Sequence, residues 1–279
     1  MRWHSATRAA ERKNLKVAMD DKRLKEAMGL SDAGDDEGAL RLFEEVRKDA
    51  KGPEEAPTVL LMEATCLLRL RRLDEAEKRL DEAESLSREP SVLARLCYSR
   101  ALVYDQGEKY EDALRVLEEL VSTFGAVLSS PDHRELYELV QFRRGVLLSD
   151  GSRYQEALPL LEEAISFDLS RDEKGLIYYE LGLCLCHLGE LERSEESFLQ
   201  AISNGCAPRC TVSAHYYLGK VYSRQERHAE ALRELQWVES RIQEGGIPAR
   251  DLYAWLAVTF RALGRQDQAR LYRSLTKQQ

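Results

Sequence analysis

Residues 178–202, YYELGLCLCHLGELERSEESFLQAI, predict two helices joined by a short turn. Small residues mark the positions where two such helices cross closely, Gly182 in the first helix and Ser194 in the second. Large apolar residues follow at helical spacing, Leu185 three residues after Gly182 and Phe198 four residues after Ser194. The stretch therefore predicts a helical hairpin that is closed by apolar side chains.

The same arrangement recurs along the chain. The small residue of the second helix repeats at intervals of 37, 37, 44, 37, 37 and 38 residues, as Ala39, Ala76, Ala113, Ala157, Ser194, Ala231 and Ala269. Twelve positions before each of these lies another small residue, in the order Ala27, Ala64, Ala101, Gly145, Gly182, Gly219 and Ala257. A recurring period of this length is typical of proteins in which each unit packs on its neighbours. The sequence thus predicts about seven helix-turn-helix units.

These units resemble the tetratricopeptide repeat family, whose pattern is W-x2-L-G-x2-Y…A-x3-F…P. The fifth unit matches it best, through Leu181, Gly182, Phe198 and Pro208. The resemblance covers about residues 20–279, although the period is 37 residues instead of the family's 34 and the first unit lacks the aromatic and Leu-Gly signature. It implies an all-α fold, a right-handed α-α superhelix of stacked hairpins, that works by binding other proteins.

The N-terminus and one connection depart from the regular repeat. Residues 1–19 are polar with scattered apolar side chains, and we expect an N-terminal capping helix or a tail there. Residues 20–279 are expected to form a single solenoid, with a longer connection near residues 121–133 where the period lengthens to 44. We interpret this connection as an irregular link within one array, with a hinge or a contact loop as the alternative.

Glycine, serine and proline mark several predicted helix ends. The third and fourth units carry one extra residue at the hairpin turn, where Gly107 and Gly151 are expected to adopt a positive φ. In the longer connection, Ser130 is placed to cap the next helix and Pro131 to open it. Pro159 falls inside a predicted second helix, where we expect at most a mild kink.

The composition argues against several classes of protein. The chain of 279 residues has 41 lysines and arginines against 49 acidic residues, a net charge of −8 at pH 7. This balance argues against binding of nucleic acids or anionic membranes, which need a basic surface. No apolar stretch approaches the ~20 residues of a membrane-spanning helix, and the first residues show no secretory signal. We therefore expect a soluble, cytoplasmic protein.

The cysteines and histidines predict no catalytic or metal site. The six cysteines lie mostly within helical segments and are interpreted as reduced thiols: Cys66, Cys97, Cys184, Cys186, Cys206 and Cys210. A redox or metal role for the segment CAPRC, residues 206–210, is the alternative for the last two. On a helix, Cys184 and Cys186 point about 200° apart, so together with His187 they do not converge on one ion. No histidine stands in a known catalytic spacing. We predict no cofactor, no metal and no enzymatic activity.

In the resembled family, the first helices of successive repeats line a concave groove. The side chain one residue after each packing aromatic or leucine is then expected to face the groove. Four successive units place an aromatic ring in this column, Tyr98, Phe142, Tyr179 and Tyr216. Aromatic rings suit peptide recognition because they give a large contact area at a low entropic cost. Packing between neighbouring helices is the alternative role for these rings, and the sequence leaves both roles open.

Basic side chains flank this column on the same helices, namely Arg95, Arg143, Lys220 and Arg224. They favour an acidic peptide or chain terminus as ligand, with ordinary solvated helix charges as the alternative. We therefore predict a protein-interaction module or adaptor that holds a partner peptide or helix in its groove. A structural scaffold that self-associates is the alternative function.

Overall fold

The computed structural model describes residues 22–50, 55–167 and 170–277. In these ranges the chain forms sixteen α-helices and one 3₁₀ turn, without any strand. The all-α fold expected from the repeat is therefore confirmed. The chain divides into two compact units, unit 1 (Met1–Leu147) and unit 2 (Leu148–Gln279). The helix or tail predicted for residues 1–19 lies outside the described residues, and the single array predicted for residues 20–279 stays a prediction.

Unit 1 contains three helical hairpins. They are α1 (Lys22–Ala33) with α2 (Asp36–Lys48), α3 (Glu55–Arg69) with α4 (Leu73–Leu86), and α5 (Pro90–Gln106) with α6 (Tyr110–Thr123). Successive hairpins also contact each other, α2 against α3 and α4 against α5. Their apolar faces form a shared core in which the predicted crossing residues Ala27, Ala64 and Ala76 are fully buried.

The longer connection is made of short helical turns. After α6 come a one-turn helix, α7 (Gly125–Leu128), and the 3₁₀ turn (Pro131–His133), and α8 (Arg134–Asp150) follows directly. The Ser130 side chain makes no capping hydrogen bond, so the cap predicted there is wrong. Pro131 opens the 3₁₀ turn and not α8 itself. The lengthened repeat therefore contributes extra helical turns to this connection.

Unit 2 continues with the same kind of hairpin. Its helices are α9 (Tyr154–Ala164), α10 (Arg171–Leu188), α11 (Leu191–Asn204), α12 (Pro208–Arg224), α13 (His228–Glu239), the one-turn α14 (Ile242–Gly245), α15 (Ala249–Ala262) and α16 (Gln266–Leu275). The pairs are α10 with α11, α12 with α13, and α15 with α16. Pro159 lies inside α9, which is assigned as one uninterrupted helix.

Seven short turns between consecutive helices of the described ranges share one backbone geometry. In each turn the residue before the second helix's N-cap adopts a positive φ, and it is a glycine only in three of the seven: Gly34, Arg71, Glu108, Ser152, Gly189, Glu226 and Gly264. The N-cap residue then donates its N–H to a carbonyl five residues earlier, as Lys109 does to Tyr104 at 2.8 Å. This hydrogen bond closes the first helix in a Schellman-type cap. The positive φ predicted for Gly107 and Gly151 is wrong, because Glu108 and Ser152 adopt it instead.

Two of the cysteines are oxidised in the structure, contrary to the expectation of reduced thiols. Cys206 and Cys210 form a disulfide across the connection between α11 and α12, whereas both were expected to be reduced. The two Cα atoms, four residues apart in the sequence, lie 5.7 Å from each other, which is a normal distance for a disulfide. The cysteines that stay free are Cys66, Cys97, Cys184 and Cys186. In the described ranges, no helix combines the length and the apolar character that crossing a bilayer requires.

Candidate ligand-binding surface

The four predicted groove aromatics are buried. Tyr98 and Phe142 in unit 1 are 7% and 4% exposed, and Tyr179 and Tyr216 in unit 2 are 6% and 7% exposed. Rings with so little free surface act mainly through packing against their neighbours. The sequence left packing and ligand contact open for these rings, and their burial favours packing. A direct role in partner binding stays a prediction.

The predicted groove cations of unit 1 are buried as well. Arg95 and Arg143 are 8% and 6% exposed. The Nη1 atom of Arg143 donates to the carboxylate of Asp105 at 2.9 Å. A buried ion pair satisfies both of its charges within the protein. Arg143 is therefore neutralised without any ligand.

Other partly or fully buried charges of unit 1 are also paired internally. Arg69 on α3 contacts the carboxylate of Asp36 on α2 at 2.6 Å, and both side chains are almost completely buried. Glu63, which is fully buried on α3, accepts from Nε of Arg47 at 2.8 Å and lies 2.7 Å from Nε of Arg79. Burial raises the pKa of Glu63, although both guanidinium groups oppose the shift. These pairs link neighbouring helices and are structural.

In unit 2, rings from three helices meet around Tyr217. The Tyr179 ring of α10 lies 6.4 Å from the Tyr217 ring, and the Phe198 ring of α11 lies 5.9 Å from it in a stacked orientation. Tyr216 contacts Tyr217 edge to face at 5.3 Å. Ring pairs at these centroid distances stabilise each other beyond the area that they bury. Tyr217 itself is half-buried, so one part of its ring remains at the surface.

The ammonium group of Lys220 lies among aromatic rings. Its Nζ atom is 4.5 Å from the centroid of Tyr217, 5.3 Å from that of Tyr216 and 5.7 Å from that of Trp255 on α15. Each of these distances is within the range of a cation–π contact. Burial lowers the pKa of Lys220, because leaving water disfavours the charged form. The rings therefore hold a partly desolvated positive charge.

Arg224 and His187 extend this positive region. Arg224 is exposed and lies one turn after Lys220 on α12, and its Nη1 atom donates to the backbone carbonyl of Cys186 at 2.7 Å. The ring of His187 stacks on Tyr154 at 4.4 Å. Partial burial lowers the pKa of His187, and the charges of Lys220 and Arg224 lower it further. The three side chains are thus close enough to influence each other's charge.

No carboxylate within the described ranges forms an ion pair with Lys220 or Arg224. Asp251 on α15 affects the pKa of Lys220 only from beyond ion-pair distance. By contrast, Arg227 on the following turn pairs with Glu195 at 2.7 Å. We call this region the Lys220 surface, defined by His187, Tyr217, Lys220, Arg224 and Trp255. It offers an anion the positive charges of Lys220 and Arg224 beside aromatic rings.

The sequence predicted part of this surface and missed the rest. Lys220 and Arg224 were predicted as groove cations, whereas Tyr217, Trp255 and His187 were not predicted at all. Tyr217 directly follows Tyr216 of the predicted column. Trp255 directly follows residue 254, which has the same repeat position in the last unit. A column read one position later would have found both rings. One residue rotates the side chain by about 100° around the helix, which is enough to exchange a core position for a surface one.

The other side chains with metal-ligating groups do not gather into a metal site in the described ranges. Among the residues that the structure describes, no three metal-ligating side chains lie together. Cys184 is fully buried on α10, and burial raises the pKa of its thiol to about 11. A thiol of this kind is inert as a nucleophile near neutral pH. The Lys220 surface is therefore the site with ligand-binding chemistry in this part of the chain.

Comparison with known proteins agrees with this architecture. The family described as tetratricopeptide repeat matches residues 24–89 and 142–209. PilF of Pseudomonas aeruginosa is 19% identical, with a TM-score of 0.61 over 82% of this chain and 93% of its own. A tetratricopeptide repeat protein of Parabacteroides merdae is 18% identical, with a TM-score of 0.55 over 92% of this chain and 91% of its own.

MamA of Desulfovibrio magneticus RS-1, from residue 41 to its end, is 21% identical to this chain. Its TM-score is 0.53, over 68% of this chain and 96% of the compared one. No curated protein sequence matches the chain. At such low identity the solved structures share the fold with this chain, and any function must be argued from its own residues.

Proposed function

Because the chain belongs to the tetratricopeptide repeat family, we propose that it is a protein-interaction module whose unit 2 binds an acidic segment of a partner protein at the Lys220 surface. The observation that carries this proposal is the position of Lys220 and Arg224. They lie together on one helix, beside Tyr217 and Trp255, and without a carboxylate partner among the described residues.

Electrostatics explains why an acidic ligand fits. Two positive charges on neighbouring turns repel each other, and burial adds a desolvation penalty for Lys220. A ligand carboxylate offsets both the repulsion and the desolvation penalty, since it supplies a negative charge next to Lys220 and Arg224. A hydrogen bond to a charged group contributes about 1.5–3 kcal/mol when both partners are shielded from water.

The rings add the second part of the recognition. Tyr217 and Trp255 are both half-buried, so each presents part of an aromatic face beside the ammonium group. An aliphatic or aromatic side chain next to the ligand carboxylate would pack on these faces. The preferred ligand is therefore an acidic residue adjacent to a large apolar residue.

A binding experiment with a matched control tests this proposal. The probe is a short fluorescein-labelled peptide rich in glutamate and leucine, and its control carries glutamine in place of every glutamate. Fluorescence anisotropy should show binding of the acidic peptide only. Lys220→Met keeps the apolar stem and removes the charge, and it should weaken binding by about tenfold or more, equivalent to ~1.4 kcal/mol.

Lys109→Met is the matched control in unit 1. Lys109 also lies over a tyrosine ring, with Nζ 5.6 Å from the centroid of Tyr104, but it belongs to a different surface. Its replacement should leave the affinity unchanged. Equal affinity of the acidic and the glutamine peptide, or equal loss in the two lysine variants, would show that the Lys220 surface does not select acidic ligands.

Self-association is the alternative function, and one observation favours it. The last hairpin exposes two large apolar side chains, Val258 on α15 at 41% and Leu271 on α16 at 56%. Exposed apolar surface favours contact between protein molecules. Light scattering over a wide range of concentrations should then show a rising mass that Leu271→Glu abolishes, whereas a constant monomer mass would exclude this alternative.

A further inference from the structure

The Cys206–Cys210 disulfide joins the connection after α11 to the first turn of α12. Its two cysteines enclose the exposed residues Ala207, Pro208 and Arg209. Cys206 is almost completely buried, whereas Cys210 is half-buried and borders this exposed stretch. A small thiol or disulfide reagent can therefore approach the Cys210 sulfur from solvent.

Cys210 lies on the same face of α12 as part of the Lys220 surface. Cys210, Ala214 and Tyr217 follow each other at spacings of four and three residues, which places them in one line along the helix. All three belong to the apolar cluster that also contains Tyr179 of α10. The turn after Tyr217 carries Lys220. A change at Cys210 is therefore transmitted through packed side chains to the rings that hold the ammonium group.

The connection is also fitted closely against α10. A Cβ atom at Gly175 of α10 would lie 3.1 Å from the backbone nitrogen of Cys206, so the connection approaches the helix as closely as a glycine permits. The hydroxyl of Thr211 on α12 donates to the carbonyl of Cys206 at 3.0 Å. The disulfide thus holds a segment that touches both α10 and α12, the two helices that supply His187 and Lys220.

A ring closed over four positions has little effect on global stability. A disulfide stabilises a fold mainly by restricting the unfolded chain, and this effect decreases with the length of the loop that it closes. The consequence of this disulfide is therefore local, at the start of α12. Cys210 also lies in the first turn of a long helix and next to Arg209, an environment that stabilises a thiolate and favours thiol–disulfide exchange.

We propose that Cys206 and Cys210 form a reversible redox site that controls the affinity of the Lys220 surface, an inference that rests on the function proposed above. The oxidant is a low-molecular-weight disulfide and the reductant a dithiol. One protein thiolate attacks the small disulfide and releases one thiol, and the second cysteine then displaces the other thiol from the mixed disulfide. Two electrons pass from the two cysteines to the small disulfide, which leaves as two thiols.

Hydrogen exchange on the full chain tests the redox site without any ligand. The chain is compared after oxidation with oxidised glutathione and after reduction with dithiothreitol, and mass spectrometry after alkylation counts the free thiols. Reduction should speed amide exchange in residues 206–214 by about tenfold or more, since it releases the first turn of α12. The variant with both Cys206→Ser and Cys210→Ser should behave like the reduced chain under both conditions. Cys97→Ser, a half-buried thiol of unit 1, should retain the redox response.

Peptide binding then tests the coupling to function. The oxidised chain should bind the glutamate-rich peptide at least about threefold more tightly than the reduced chain, and the double serine variant should show no redox dependence. Unchanged exchange in residues 206–214 after reduction would refute the redox site, whatever the peptide does. Altered exchange with equal affinity in both states would refute the control of binding. Altered exchange with no peptide binding in either state would refute the proposed function itself, and with it the control of binding.

Discussion

The two units of the molecule use the same hairpin, but selected partly buried cations have different surroundings in each. In unit 1, the nearly buried Arg69 and Arg143 each contact a carboxylate of the same unit. In unit 2, Lys220 lies among aromatic rings, and no ion pair joins it to a carboxylate among the described residues. A charge that is already paired stabilises the fold, whereas a desolvated charge without a counter-charge is available to a ligand. Charge pairing therefore separates structural cations from candidate binding cations within one repeat architecture.

The units also differ at the crossing of their hairpins. The first helices α1, α3 and α5 of unit 1 have alanine at the crossing position, as at Ala64, whereas α10 and α12 of unit 2 have Gly182 and Gly219. A Cβ atom at Gly182 would lie 2.8 Å from the ring of Phe198, which is fully buried. Glycine therefore allows a large residue of the second helix to pack directly on the backbone of the first.

The largest expected effect is the loss of a paired cation in unit 1. Arg69→Met removes the partner of Asp36, and with it the link between α2 and α3. Because both side chains are almost completely buried, the free energy of unfolding should fall by about 3 kcal/mol. Urea denaturation measures this loss. A change below about 0.5 kcal/mol would mean that unit 1 does not depend on its internal ion pairs.

At the crossing positions, replacing glycine by alanine and replacing alanine by glycine should both lower the stability of the fold. Gly182→Ala places a methyl group against Phe198, and the strain should exceed the gain in helix propensity, for a net loss of about 1–2 kcal/mol. Ala64→Gly should cost about as much, because it lowers helix propensity and removes a buried methyl group. Thermal unfolding of both variants measures these losses. A stabilised Gly182→Ala variant would show that α10 and α11 can move apart.

The Lys220 surface should respond to pH through His187. Partial burial and the charges of Lys220 and Arg224 lower the pKa of His187 in the free protein, so the folded state resists protonation and loses stability as the pH falls below about 6.5. A bound carboxylate raises this pKa, so the complex takes up a proton. Affinity for the acidic peptide should therefore increase roughly threefold from pH 8 to about 5.5.

Titration of peptide affinity against pH provides the measurement. His187→Gln should remove the dependence. Affinity that weakens as the pH falls would contradict the placement of the ligand carboxylate near His187.

The smallest expected effect is on stability in unit 2. Lys220→Met removes a charge whose burial is unfavourable and a cation–π contact that is favourable, and the two terms nearly cancel. The free energy of unfolding should change by less than about 0.5 kcal/mol. Urea denaturation of Lys220→Met and Arg69→Met in parallel compares the changes in their free energies of unfolding. An equal loss in both variants would show that Lys220 is structural and would remove the distinction between the units.

Several features could be predicted from the sequence because they depend on local spacing. Small and large residues three, four and twelve positions apart predict two helices that cross and pack, and Ala27, Ala39, Gly182 and Ser194 occupy such buried positions in the structure. The hairpin turns could be located but not assigned in detail. Glu108 and Ser152 adopt the positive φ that was expected of the preceding glycines. The position of a residue in the Schellman-type cap determines which residue has the positive φ, whatever its side chain.

The sequence by itself determined that this protein is built from helical hairpins, since a helix places residues at fixed angles and the repeat shows which angles carry apolar side chains. Only the tertiary structure decided how far each helix is rotated against its neighbours. That rotation buried Tyr216 and left Tyr217 half-exposed beside Lys220, and it brought Trp255 of another helix to the same ammonium group. The Cys206–Cys210 disulfide also became visible only in the structure, because a disulfide depends on the positions of two side chains in space.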